Sequence, residues 1–420
     1  MIKRRFRWRY FWLISLMILM LVGTWLLNSQ NPDIFPVRNV MRYKADQWWH
    51  ERFGEPVDAG VGSVAGCVTG QHRPIVDGHV LFAQRNGILH ETRTDATGCY
   101  QLENLPAGRY TPVITAAGWS DASMKLDIMP AQTARFDATL QPYVAPLVTA
   151  PTRFEVGEPI TLTVPLPKPS VAVRRDVRIW SDHGEHQQTL LYTPITATTT
   201  LPTLLAVYPG KADTWENVSI PLAAQGYTVL AIGPEYTMDF EGDIADLKRM
   251  VMLLRSGTIP FADGSRVSLV AGSYSSFHVL RLLRDDVGFR SAILLGPISD
   301  LFDMRKRYEV DGLVPPFGLD QALIALGYPN VETQRYATYS ARFHGRSDLP
   351  PILLMHSNND EIVPSAQSRV LVKEFERLNV STEAYFFDGM AHYLQTNEPS
   401  AELDQLYAIT LNFLARTMGK

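Results

Sequence analysis

The sequence predicts an α/β protein in which a mostly parallel sheet carries helices on both faces, preceded by a small all-β domain and an N-terminal transmembrane helix. From about Val171 to the C-terminus, short apolar runs alternate with segments whose apolar residues recur at helical spacing, which indicates strands alternating with helices. Residues 62–141 show short alternating runs separated by turn residues, which is typical of an all-β domain. Near the N-terminus, a basic flank precedes an uncharged run long enough to cross a bilayer.

Length and composition indicate a globular protein of more than one domain. The chain has 420 residues, of which 46% are hydrophobic and 20% charged, and this length exceeds that of one typical domain. A formal net charge of −4 offers no basic field that would attract nucleic acid. No phosphate-loop, dinucleotide or zinc motif occurs, and no cofactor or metal is predicted. His183 and His186, near Asp182, lack the further ligands of a metal site, so a solvated loop is predicted there.

The N-terminus carries the signal for location. Five basic residues within residues 1–9 precede the uncharged run from Tyr10 to Leu27. Because such basic flanks stay on the cytoplasmic side, we expect residues 10–27 to form a single-pass anchor and the following domains to be extracytoplasmic. The alternative is a cleaved signal peptide, but the run is long for one and no A-x-A-like cleavage site follows it. Residues 28–61 are predicted to be a tether, with one short helix over Val40–Phe53 whose Trp48 and Trp49 would lie at the membrane interface.

The all-β region carries a series of motifs in a fixed order. These are G-x-V, P-(I/L)-x-x-(G/A)-x-V, T-D-x-x-G-x-(Y/F)-x-L, L-P-x-G-x-Y and A-x-G-(W/Y), within residues 62–141. In this order they resemble the carboxypeptidase regulatory-like domain, a transthyretin-like β-sandwich. The resemblance implies a domain that assists folding, spacing or weak binding and carries no catalytic groups. Carbohydrate binding is the alternative, with Trp119 as its only support. Cys67 and Cys99 lie in this domain, and an exported domain permits either a disulfide or two separate thiols.

Residues 142–170 are rich in proline, so they are predicted to be a linker, or a linker that adds an edge strand. The α/β domain then covers residues 171–420. Within it, residues 298–348 separate two predicted strands and are apolar and aromatic. A segment of this length is too long for a plain loop, and it is predicted to be a helical cap over a pocket. The alternative is a pair of packing helices that never touches a substrate.

A strand, a cramped turn and a helix follow one another from Val267 to Arg281. Ser273 stands at the turn, in the context that a nucleophile elbow requires. Ala271 and Ser275 replace the outer glycines of the usual G-x-S-x-G pattern, but both are small enough for the turn. Taken alone, the serine is compatible with an ordinary strand-to-helix turn.

Two further residues at strand ends complete a possible catalytic set. Asp360 follows the strand Pro351–Met355 in an H-x-x-x-D-x-x-V-P motif, and His392 follows the last strand, Ala384–Phe387, in a G-x-x-H motif. A serine needs an imidazole to accept its proton, and that imidazole needs a carboxylate to orient it. Asp300, after the strand Ser291–Leu295, is a rival acid.

These motifs resemble the α/β-hydrolase superfamily over roughly residues 180–415, nearest to the prolyl oligopeptidase (S9-type) and dienelactone hydrolase groups. The resemblance implies that Ser273 is the nucleophile, His392 the general base and Asp360 its orienting acid. It also implies an oxyanion hole, for which we predict the backbone amides of Tyr274 and Lys211.

The expected function is that of a membrane-anchored, extracytoplasmic serine hydrolase that cleaves an ester or a short peptide through an acyl-enzyme. Its partners would be the small substrate and the membrane, with no nucleic acid. The alternative is a non-catalytic binding or scaffold protein that has kept the hydrolase fold. The altered outer glycines favour the scaffold, and the complete set of serine, acid and histidine favours the enzyme.

Overall fold

The computed structural model describes residues 2–28, 34–53, 60–181, 184–185, 189–233, 238–313, 319–392 and 398–419. The histidines at 183 and 186 lie outside the described residues. The helices are α1 (Ile2–Asn28), α2 (Phe35–Phe53), α3 (Glu216–Ala224), α4 (Phe240–Arg255), α5 (Ser275–Asp285), α6 (Leu301–Glu309), α7 (Leu319–Leu326), α8 (Thr333–Thr338), α9 (Ala366–Arg377) and α10 (Ala401–Met418).

The strands of the N-terminal half are short. They are β1 (Val61–Gly70), β2 (Arg73–Pro74), β3 (His79–Ala83), β4 (Leu89–Arg93), β5 (Cys99–Pro106), β6 (Gly108–Tyr110), β7 (Val113–Thr115), β8 (Ala122–Ser123), β9 (Leu126–Ile128), β10 (Thr133–Arg135) and β11 (Ala138–Leu140).

The strands that follow belong to one large sheet. They are β12 (Arg153–Val156), β13 (Ile160–Val164), β14 (Ser170–Ser181), β15 (Gly184–Glu185), β16 (Thr189–Thr193), β17 (Leu201–Val207), β18 (Thr228–Ile232), β19 (Ala262–Gly272), β20 (Ser291–Leu295), β21 (Ile352–Ser357) and β22 (Thr382–Phe387).

The large sheet has the order β12-β14-β16-β18-β17-β19-β20-β21-β22. The strands from β18 to β22 along this order pair in parallel, whereas β12 to β16 add antiparallel strands at one side. One hydrophobic core packs α4, α5 and α9 on one face of the sheet, and a second packs α3 and α10 on the other. Because parallel strands are covered on both faces, their residues are apolar almost throughout. The predicted α/β sheet with helices on both faces is confirmed.

The proline-rich segment differs from the linker that the sequence predicted. β12 and β13, which lie within residues 142–170, pair with β14 and so extend the large sheet. Prolines at 151, 159 and 165 flank these strands rather than interrupt them, so the missing amide protons cost no ladder hydrogen bond within the strands. The added edge that the sequence left as an alternative is therefore the observed arrangement.

Residues 61–140 form small sheets around their own apolar core. The central strand β1 pairs with β5, and their register places Cys67 directly opposite Cys99. The two cysteines form a disulfide, which decides between the two states that the sequence left open.

The β-sandwich packs against the cap segment and shares a core with it. Leu81, Ala83 and Val113 belong to one hydrophobic cluster with cap residues and with Tyr274 and Phe277 of the elbow and α5. At the tip of the β3–β4 hairpin, Gly87 has a φ of +88°, and a Cβ there would lie 2.5 Å from the backbone nitrogen of Lys306. Only glycine fits this approach of the hairpin to α6. The sandwich is thus in direct contact with α6. It also contacts α5, the helix that follows the predicted nucleophile, through Asp121, which lies 3.2 Å from Arg284.

Helix α2 also packs on the cap instead of lying in a free tether. Its Tyr43 ring stacks on Tyr328 with the centroids 4.6 Å apart, and its Asp46 pairs with Arg85 of the sandwich at 2.9 Å. Trp48 and Trp49, on the same helix, are 58% and 61% exposed.

The predicted membrane anchor falls within α1, although the side chains of residues 2–11, 19, 27 and 28 lie outside the described set. Over the part of the chain that the structure describes, none of the helices is both long and apolar enough to cross a membrane. The predicted transmembrane helix is therefore not confirmed.

Candidate active site

The turn between β19 and α5 holds Ser273 in an unusual backbone conformation. Ser273 has a φ of 49°, in the left-handed region that non-glycine residues seldom adopt and that costs of order 1–3 kcal/mol. Two backbone hydrogen bonds hold the turn: Ser273 N–H donates to the Leu295 carbonyl at 2.8 Å, and Ser276 N–H donates to the Ser273 carbonyl at 3.0 Å. The turn therefore has the strained geometry of a nucleophile elbow.

Ser275 does more in this turn than occupy a small volume. Its side chain is fully buried, and its hydroxyl donates to the Val207 carbonyl at the end of β17, at 2.5 Å. The Gly272 N–H lies 3.2 Å from the same hydroxyl oxygen. The hydroxyl thus ties the elbow to the neighbouring strand. The sequence showed only that the residue is small, and the spacing holds no signal for this contact.

Ser273, His392 and Asp360 come together at the carboxyl edge of the sheet. Ser273 Oγ lies 2.7 Å from His392 Nε2, and His392 Nδ1 lies 2.7 Å from Asp360 Oδ2. A carboxylate only accepts hydrogen bonds, so Nδ1 carries the proton and Nε2 is left to accept one from the serine. His392 is 6% and Asp360 9% exposed. The three residues follow β19, β21 and β22, whose parallel pairing brings distant parts of the chain to one edge.

The Asp360 carboxylate has four donors around it. Oδ1 accepts from the backbone N–H groups of Ile362 at 2.9 Å and Val363 at 2.7 Å. Oδ2 lies near both His392 and His356. Burial by itself raises the pKa of Asp360, but the hydrogen bonds from His356 and His392 outweigh it, so the pKa is well below its ordinary value. The carboxylate is therefore ionised and fixed in place.

His356 is a second buried histidine on the same carboxylate, and sequence reasoning did not assign it a role. Its side chain is fully buried, with Nε2 3.1 Å from Asp360 Oδ2 and 2.8 Å from the Val363 carbonyl. Both of these oxygens accept, so Nε2 carries the proton. Nδ1 then accepts from the Ser368 hydroxyl at 2.5 Å. The H-x-x-x-D spacing was the only signal in the sequence, since it sets His356 at the end of β21 and Asp360 in the loop that follows.

The rival acid, Asp300, has a different set of contacts. Its Oδ1 accepts from the backbone N–H groups of Phe302 at 2.9 Å and Asp303 at 3.1 Å, so it caps the N-terminus of α6. Its Oδ2 lies 3.1 Å from Arg342. Burial raises the pKa of Asp300, and the Arg342 charge opposes the rise. His392 is oriented by Asp360, and Asp300 holds the first helix of the cap.

The two predicted oxyanion donors lie on neighbouring elements. Tyr274 directly precedes α5, and its ring packs edge-on against Phe277 at a centroid distance of 5.0 Å. Lys211 ends the loop that leaves β17, just before a short 3-10 helix over residues 212–215. β17 and β19 are parallel neighbours, with Val207 opposite Ala271, so the loop and the elbow leave the same edge. The two amides stay predictions as oxyanion donors.

No metal site accompanies this arrangement within the described residues. No group of three or more histidine, cysteine, aspartate or glutamate side chains there is placed to hold a metal ion.

Among solved structures, the chain is similar to an acylaminoacyl peptidase in complex with Z-Gly-Gly-Phe-chloromethyl ketone, at 14% identity over 82% of this chain and 62% of that chain, with a TM-score of 0.48. It is similar to an esterase from Thermogutta terrifontis at 15% identity, over 55% of this chain and 88% of that chain, with a TM-score of 0.42. Esterase B from Lactobacillus Rhamnosis is similar at 16% identity, over 65% and 89% of the two chains, with a TM-score of 0.47.

Family models match two separate parts of the chain. Residues 63–141 match the carboxypeptidase regulatory-like domain, and residues 241–420 match the prolyl oligopeptidase family. A comparison with curated proteins finds no match. The family matches confirm both resemblances that the motifs predicted: the chain carries a serine-hydrolase domain that matches the prolyl oligopeptidase family, behind a carboxypeptidase regulatory-like domain.

Proposed function

We propose that this protein hydrolyses carboxylic esters or short peptides through an acyl-enzyme, with Ser273 as nucleophile, His392 as general base and Asp360 as the orienting acid. One observation carries the proposal. Two hydrogen bonds of 2.7 Å connect the serine hydroxyl through both ring nitrogens of the histidine to the carboxylate. The scaffold alternative does not require this continuous connection.

In the proposed reaction, Ser273 Oγ bonds to the substrate carbonyl carbon while its proton moves to His392 Nε2. The imidazolium that forms keeps its Nδ1–H on the Asp360 carboxylate, which stabilises the positive charge. The carbonyl oxygen becomes an oxyanion, for which the backbone amides of Tyr274 and Lys211 are the proposed donors. His392 then gives its proton to the leaving oxygen or nitrogen while the bond between that atom and the carbonyl carbon breaks. A water molecule then attacks the acyl-enzyme through the same steps and releases the carboxylic acid.

A fluorophosphonate probe tests the proposal, since it reacts with an activated serine. The full chain should be labelled, and Ser273→Ala should abolish labelling. Ser265→Ala is the matched control, because Ser265 lies on the same strand, exposed and away from the elbow, and it should be labelled like the wild type. Labelling that survives in Ser273→Ala, or no labelling of the folded wild type, would favour the scaffold.

We also propose that the N-terminal segment holds the protein at a membrane, with the domains after it extracytoplasmic. The basic flank and the uncharged run over residues 10–27 support this. So do apolar side chains of α1 such as Leu13 and Leu21, which are 61% and 62% exposed and therefore favour an apolar surrounding. After alkaline carbonate washing of cell membranes, the full chain should stay in the pellet, and external protease should degrade the hydrolase domain. Release into the supernatant would refute attachment through an inserted segment.

A further inference from the structure

An apolar cavity opens beside the proposed nucleophile. Ser273 and His392 are among the residues that line it. Its inner walls are made by Trp215, Val218 and Leu295, together with residues of the β17 loop and β19. This lining suits an apolar group, because a polar group without partners would lose its hydration.

The polar atoms of the aromatic wall are already engaged. The buried Tyr208 hydroxyl lies 2.9 Å from Ser219 Oγ, and Trp215 Nε1 donates to the Pro209 carbonyl at 3.3 Å. The Trp215 ring stacks on Tyr208 with the centroids 5.5 Å apart. These rings therefore present carbon surfaces to the cavity, and a substrate group inside it would be selected by shape and apolarity.

A second cavity continues behind the first, between the sheet and helices α3 and α10. Leu222, Leu403 and Leu406 are among its lining residues. Val218, Val270 and Leu295 line both cavities. These three residues form the partition between the two cavities.

The shared partition is where a path from the first cavity into the second would run. Val218, which belongs to the partition, and Leu222, which lines only the second cavity, are four residues apart on α3. They therefore lie on one side of the helix. On the opposite wall, Ile293 and Leu295 are two residues apart on β20 and so point to the same face of the sheet. A flexible, linear apolar chain fits such a path, whereas a broad ring system would have to displace the partition.

We propose that this path is an acyl-chain channel, and that the substrates are esters of medium-length straight-chain aliphatic acids. This rests on the proposed function, because the acyl carbon must lie at Ser273. The partition is the part of the channel that limits chain length. Each further methylene that enters is expected to raise kcat/KM about fourfold, which corresponds to about 0.8 kcal/mol per buried CH₂.

The test compares p-nitrophenyl acetate with p-nitrophenyl octanoate on the full chain. The wild type should prefer octanoate. Val218→Phe, which blocks the passage, should lower the octanoate-to-acetate ratio of kcat/KM at least tenfold, and Val218→Ala should raise it. Leu222→Phe, which fills only the second cavity, should also lower the ratio. Ile409→Phe is the matched control: it adds the same ring on α10 outside both linings and should leave the ratio unchanged.

Binding to the Ser273→Ala variant separates this proposal from the proposed function. Octanoate should bind this variant more tightly than acetate by calorimetry, and adding Val218→Phe should remove the difference. If esters are cleaved but neither Val218 variant changes the ratio, the channel is refuted while the hydrolase stands. If no ester is cleaved but octanoate binds and Val218→Phe prevents it, the channel stands and the proposed reaction fails. Octanoate that binds no better than acetate refutes the channel whatever the activity.

Discussion

The second histidine on the Asp360 carboxylate leads to a quantitative prediction. His356 donates its Nε2–H toward Asp360 Oδ2 at 3.1 Å, and the Ser368 hydroxyl holds it in that tautomer at 2.5 Å. If Asp360 orients His392, replacing His356 by alanine should weaken catalysis through Asp360, the carboxylate that His356 hydrogen-bonds. His356 is thus predicted to be a positioning residue.

The size of the effect follows from the contacts. A hydrogen bond to a charged group contributes about 1.5–3 kcal/mol, which corresponds to a rate loss of about 10- to 150-fold if it is all expressed in the transition state. Three other donors stay on Asp360: His392 and the amides of Ile362 and Val363. We therefore expect the lower end, about tenfold in kcat. His356→Ala also leaves a cavity and should reduce stability.

The assay is kcat/KM for a p-nitrophenyl ester from pH 3 to pH 8. The hydrogen bond from His356 helps to hold the pKa of Asp360 below its ordinary value, so His356→Ala should raise that pKa. Activity requires the ionised carboxylate as well as a neutral His392, so the acid limb of the variant should move to higher pH at its lowest end and become steeper there. His356→Gln places an amide N–H near the position of Nε2 and should recover most of both effects. Equal impairment of the two variants with an unmoved acid limb would show that His356 matters only for packing.

Three other predictions follow from the site and the domain contact. Asp360→Asn should lower kcat by about 10⁴-fold, the loss known for such a change in a serine protease. Asp300→Asn should mainly lower the melting temperature, because Asp300 caps α6. Steady-state kinetics and calorimetry measure the two effects, and the reverse outcome would make Asp300 the orienting acid. Ser275→Gly restores the second outer glycine of the G-x-S-x-G pattern, yet it removes a buried hydrogen bond to the Val207 carbonyl. The free energy of unfolding, measured in urea, should therefore fall by about 1–3 kcal/mol. An unchanged free energy of unfolding would contradict this. Burial lowers the pKa of His79 to about 2 and of His344 to about 3. Below a pH of about 6.5 the unfolded chain therefore binds protons that the folded chain does not, and the free energy of unfolding should fall by up to about 1.4 kcal/mol per pH unit for each histidine. Urea titrations should show that the loss of stability from pH 7 to pH 5 is smaller in the His79→Phe variant than in the wild type.

The sequence by itself determined the parts of this protein that depend on local pattern. The alternation of apolar runs and helical spacing indicated the parallel strands, and the elbow placed Ser273 at the end of β19. In a parallel sheet the ends of neighbouring strands meet at one edge, so chemistry-bearing residues after three strands were expected to be close together. Asp360 and His392 could be named on that ground, although they are 32 positions apart in the chain.

Only the tertiary structure decided how distant segments contact one another. The choice between Asp300 and Asp360 depended on which carboxylate reaches the histidine, and both follow strands of the same sheet. The hydroxyl of Ser275 bonds to a carbonyl 68 residues earlier in the chain, and the sandwich packs on the cap through side chains that look like ordinary core residues in sequence. Periodicity reports which face of an element is buried, but it carries no information about the partner that buries it. Many apolar surfaces in the chain could pack together, and which of them do so depends on the fold of the whole chain.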